Sequence, residues 1–131
     1  MIKVTDDFLE PDFFFNVNVL SKQIYTSPNG ILKSNASWNS DVVRTSNTVL
    51  IHEIQDTGII KTLQEKFENY DITPSFFYWT QMSYIPWHDD GAHHAAMTIY
   101  LSDHEENDGG YFMYEKSDGT IEAIQPKSNR A

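Results

Sequence analysis

The chain contains no cysteine. Disulfides and thiolate metal sites are thereby excluded, and any metal chemistry must come from His and carboxylate donors. A cysteine-free composition also fits a reducing cytosol. Basic residues are scarce: 9 Lys and Arg stand against 19 Asp and Glu, a formal charge of −10 at neutral pH. So acidic a chain repels phosphate backbones overall, which disfavours nucleic acid as a partner. No stretch approaches the roughly 18 apolar residues of a spanning helix, so no membrane partner is expected. Met1-Ile2-Lys3-Val4-Thr5-Asp6-Asp7 has no apolar h-region, and a secretory signal is not expected. A cytoplasmic protein is the expectation. No internal repeat, linker or second domain is visible, and 131 residues suit one domain, residues 1–131.

What the chain has is aromatic bulk: 8 Phe, 7 Tyr and 3 Trp, within an ordinary 40% hydrophobic content. Phe13, Phe14, Val17, Leu20 and Ile24 recur at helical spacing, and Pro11 suits a first turn, so the pattern predicts a helix from about Pro11 to Tyr25. Ile59, Ile60, Leu63 and Phe67 mark a second helix over about 57–69, capped by Asp56 or Thr57. Strands are expected at Ile2–Val4, Thr48–Ile54, Ser75–Ile85, Ala95–Leu101, Gly110–Glu115 and Thr120–Ile124. Ser27-Pro28-Asn29-Gly30 is turn chemistry, residues 31–47 read as a long loop or irregular strands, and Ser117-Asp118-Gly119 signals a hairpin. Helices first and short antiparallel strands after them give an α+β arrangement around a β-sandwich or jelly roll.

Chemistry concentrates at His88-Asp89-Asp90. In a strand, residues i and i+2 share a face, so His88 and Asp90 can offer an imidazole and a carboxylate to one metal ion while Asp89 turns away. Two His and one carboxylate with open positions opposite are the ligands of non-haem Fe(II) oxygenases. The bland alternative is a polar surface turn. His93, His94 and His104 are the rivals for a further ligand, and a His-rich, cupin-like site built on His88, His93 or His94 would suit zinc. Otherwise these three hydrogen-bond locally, cap the turn or face solvent. Core filling is the expectation for Trp79 and Trp87.

Five segments in order carry a resemblance. Tyr84-Ile85-Pro86-Trp87-His88-Asp89-Asp90 resembles the HxD segment of Fe(II)/2-oxoglutarate-dependent oxygenases of the prolyl-hydroxylase-like type. Met97-Thr98-Ile99-Tyr100-Leu101-Ser102 is similar to that family's following strand, with Ser102 in place of Asn. Asp108-Gly109-Gly110-Tyr111-Phe112 resembles its Gly-Gly turn and strand, and Ile124-Gln125-Pro126-Lys127-Ser128-Asn129-Arg130-Ala131 its Asn-Arg element. Thr5-Asp6-Asp7-Phe8-Leu9 is similar to its opening.

The resemblance implies a double-stranded β-helix buttressed by the two N-terminal helices. It implies Fe(II) on His88 and Asp90, 2-oxoglutarate as cosubstrate and, as an optional addition, ascorbate. Tyr100, and less directly Tyr84, would hydrogen-bond the cosubstrate's distal carboxylate. The activity implied is hydroxylation of a peptide or a small metabolite, a peptidyl prolyl residue being the nearest analogy. In the family the third ligand and a basic anchor follow the Asn-Arg element, so neither Lys127 nor Arg130 holds the anchor's place, and Arg130 is expected in a structural ion pair. The residues stop at Ala131, so the last core strands and the distal His are expected to be missing, with weak Fe(II) binding as the consequence. A non-catalytic β-sandwich binding module is the reading from another class.

Overall fold

The structure is a computed structural model that describes residues 2–27, 33–34, 49–88, 95–105 and 108–131. Its elements run α1 (Pro11–Thr26), β1 (Lys33–Ser34), β2 (Val49–Glu53), α2 (Thr57–Lys66), β3 (Ser75–Trp79), β4 (Phe112–Glu115) and β5 (Ile121–Ile124). The α+β class is as expected. The strands make two small antiparallel sheets, one of order β1-β2-β3 and one the β4-β5 hairpin. The residues cluster into two compact units, Met1–Asn18 with Gly91–Ala131, and Val19–Asp90.

In the second unit, β2 and β3 pair from Val49↔Trp79 to Glu53↔Ser75. Val49, Ile54, Ile59, Leu63 and Phe76 are buried there. α2 begins because Asp56, with extended backbone, accepts a hydrogen bond from Ile59 N at 2.9 Å. That side chain satisfies a donor which a helix start leaves orphaned. Only Ile59 and Leu63 of this helix are buried, one turn apart on the same face. The later part of α1 belongs to this unit. Its Tyr25 ring stacks on Tyr78 at 5.0 Å, and the Tyr78 hydroxyl donates to Ser21 O at 2.8 Å. Burial pushes the Tyr78 phenol up from its ordinary pKa.

In the first unit, Leu9 and Val17 are buried with Asn129. The hairpin turns where sequence chemistry places it. Gly119 has φ +81°, its N–H donates to Lys116 O at 2.9 Å, and Asp118 accepts from Thr120 N at 2.9 Å. Across the strands, Glu122 accepts from both the Tyr114 hydroxyl and the Lys116 ammonium. These two partners, Lys116 first, hold the Glu122 carboxyl below its usual range.

Three expected strands are corrected. Residues 2–5 lie outside any strand. The Ser75–Ile85 strand stops at Trp79, because Ser83 N donates to Thr80 O at 3.0 Å and closes a turn, with Met82 left-handed at φ +64°. Residues 95–101 form no ladder, although Tyr100 bonds at both its N–H and C=O to residues 129 and 130. The expected loop and turn residues within 28–32 and 35–48 lie outside the described residues.

Candidate functional site

His88 follows the turn at 80–83 on a segment outside any strand, and it is exposed. Its Nδ1 lies 2.7 Å from Pro86 O. A carbonyl can only accept, so Nδ1 donates in this contact, the kind of hydrogen bond that orients metal-binding imidazoles. Asp90 lies outside the described residues, as do Asp89, His93 and His94, and so does the shared face expected for His88 and Asp90. Among the described residues, no three His, Asp or Glu side chains group to hold a metal.

Tyr84, four residues before His88, is 52% exposed. Trp79 and Trp87 are 52% and 60% exposed, which corrects their expected place in the core. The physical reason is the turn at 80–83: it takes the chain off β3, and only Phe76 of that strand is buried. His52 sits half-buried in β2, opposite Phe76.

Tyr100 lies in the first unit, Tyr84 and His88 in the second. Tyr100 N donates to Arg130 O at 3.0 Å, and Asn129 N donates to Tyr100 O at 2.8 Å. The side chain is half-buried. Burial pushes its phenol pKa up, and the Arg130 charge partly offsets this. The ring is therefore a neutral donor, the form that can hydrogen-bond a carboxylate.

Arg130 is committed elsewhere, as the sequence leads one to expect. Its Nε and Nη2 donate to the two oxygens of Asp6 at 2.6 and 3.1 Å, and Nη1 donates to Gln125 O at 2.9 Å. Lys127 Nζ reaches the same carboxylate at 2.9 Å. Hydrogen bonds from Arg130 and then Lys127 hold Asp6 well below the usual carboxylate range. Neither cation stands ready as a cosubstrate anchor.

His104 departs from the expected capping or solvent-facing role. It is half-buried, and among the described residues its Nδ1 is buried without a hydrogen-bond partner. Gly110, at φ +72°, permits the close packing, since a Cβ there would sit 3.3 Å from His104 Nε2 and 3.6 Å from the Pro126 ring.

Sequence reasoning missed how Asp6, Asn18 and Asn129 work. Asn18 Nδ2 donates to Leu101 O at 3.0 Å. Asn129 Nδ2 donates to Leu9 O at 2.8 Å while its Oδ1 accepts from Leu9 N at 2.9 Å. Asp6 and Asn129 do fall inside quoted motifs, but nothing in local spacing signals a partner more than 100 residues away. Comparisons with protein-family models, curated proteins and solved structures find no match.

Proposed function

We propose that the chain is an Fe(II)- and 2-oxoglutarate-dependent oxygenase domain that hydroxylates its substrate, with the described sheets belonging to a double-stranded β-helix. The support is the ordered set of five motifs around His88-x-Asp90. The observation that supports it furthest is the Pro86 carbonyl on His88 Nδ1, a contact of the kind that orients imidazole ligands. His88 and Asp90 hold the iron in this reading. With O2 as oxidant and 2-oxoglutarate as the two-electron co-reductant, lost as succinate and CO2, bound iron would supply the chemistry that hydroxylating an apolar C–H bond requires. The chain's own residues hold, orient and exclude water. Tyr100, as a neutral phenol, donates to the cosubstrate's distal carboxylate, and Tyr84 is the second candidate. The proposed substrate is a peptide, with a prolyl residue the nearest analogy, or a small metabolite, with ascorbate an optional reductant.

Anaerobic addition of Fe(II) tests this directly. The expected result is a weak visible band that forms only when 2-oxoglutarate is present, with little or no succinate from these 131 residues alone. Zinc binding indifferent to 2-oxoglutarate would point to a His-rich site. Absence of any metal binding would leave a non-catalytic binding module.

A further inference from the structure

The segment bearing Tyr100 is tied down from three directions. Its N–H goes to Arg130 O, its C=O receives Asn129 N, and the next carbonyl, Leu101 O, receives Asn18 Nδ2 from α1. Residues 129–131 are in turn fixed to the opening segment. Thr5 and Ala131 exchange both backbone hydrogen bonds at 2.8 and 2.9 Å, and Phe8 N donates to Asn129 O at 3.0 Å. Residues 129–131 thus bond Tyr100 as well as residues 5–9.

Two side chains complete the arrangement. Asn129 is buried and left-handed, at φ +58°. Asn tolerates that conformation better than most residues, and here its amide spans both polar groups of Leu9 while its own N–H serves Tyr100. Asp6 fixes the Arg130 guanidinium through both carboxylate oxygens, and the Arg130 charge acts on the Tyr100 phenol. That forked pair holds in place the residue whose backbone carbonyl accepts from Tyr100 N.

We infer that Asn18, Asn129 and the Asp6–Arg130 pair are positioning residues for the Tyr100 phenol. With the backbone fixed on both sides, the ring keeps only its two side-chain torsions, so little ordering remains to be done when a ligand arrives. What the phenol then binds rests on the cosubstrate reading above; its positioning does not.

The test uses the full chain with carbon-labelled tyrosine rings, the Tyr100 resonance being assigned among 7 tyrosines by its loss in Tyr100→Phe. Asp6→Asn and Asn18→Ala are expected to shift or broaden that resonance. They should also weaken anaerobic 2-oxoglutarate binding in the presence of Fe(II) by roughly three- to tenfold, the scale of one lost hydrogen bond. Asp6→Glu should recover part of both effects. Glu122→Gln, which cuts a hairpin pair in the same unit, should leave the ring resonance in place. An unmoved Tyr100 resonance in Asp6→Asn and Asn18→Ala overturns the inference, as does an equal shift in Glu122→Gln. If Tyr100→Phe binds 2-oxoglutarate as tightly as the parent, the cosubstrate reading of Tyr100 fails, while the resonance still decides the positioning.

Discussion

His88 Nδ1 bonds the Pro86 carbonyl, and the ligand role proposed for the ring can be measured residue by residue. On the proposed reading, His88→Ala and Asp90→Ala each abolish Fe(II) binding in a protein that also carries the third ligand, because a site loses affinity steeply with ligand number. Asp89→Ala should do little, because the reading gives Asp89 no ligand role. Calorimetric metal titration checks all three, and equal losses for Asp89 and Asp90 would sink the assignment. A second residue-scale expectation concerns structure alone. Asp56 caps α2 through Ile59 N, so Asp56→Ala should cost about 1 kcal/mol in urea denaturation. This cap was legible in the sequence because the carboxylate and the amide it serves are three residues apart.

At the scale of elements, α2 depends on a narrow apolar stripe. Leu63 is buried beside Ile59, and Leu63→Ala should cost about 2–5 kcal/mol, depending on how far the cavity collapses. A fall in the urea midpoint well below that of Asp56→Ala is the expected outcome. The link between residues 5–9 and 127–131 responds to pH instead. Asp6 has a folded pKa depressed below its ordinary value near 3.8 by Arg130 and Lys127. A depressed carboxylate contributes stability that is fully present above its unfolded pKa and fades as pH falls toward the folded value. Amide exchange at Thr5 and Ala131 should therefore show protection, after correction for intrinsic rates, that holds above about pH 4 and declines below it. In Asp6→Asn the acid-dependent part of that decline should disappear. Protection equally acid-sensitive in this variant would show that another carboxylate carries the effect.

For the whole molecule, charge is the dominant long-range term. A formal charge of −10 on 131 residues implies self-repulsion in the folded state. Salt screens that repulsion within a Debye length of about 10 Å at 0.1 M. Raising NaCl from about 0.02 M to about 0.2 M should accordingly raise the melting temperature. A lower melting temperature in salt would mean that the ion pairs at Asp6 and Glu122 outweigh the net charge. The same field should keep the chain from binding duplex DNA in low salt. Among the described residues no helix is long and apolar enough to cross a membrane.

Much of the secondary structure was legible from neighbours in sequence. Pro11 opening α1, Asp56 capping α2 and Asp118-Gly119 turning the hairpin are settled within a few residues, where local sterics and short-range hydrogen bonds dominate. Residue type and spacing single out His88-x-Asp90, whereas only the resemblance points to the phenol of Tyr100. Strand ends were not legible, since β-prone residues such as Thr80, Tyr84 and Ile85 continue past Trp79, and a turn takes the chain off the sheet. Nor could spacing show that Asp6 meets Arg130, that Asn129 spans Leu9, or that Asn18 holds Leu101. Those partners lie 83 to 124 positions apart. Only the folded chain brings them within hydrogen-bonding distance, because closing such loops costs entropy that no local preference offsets and that the contacts of the whole unit must recover.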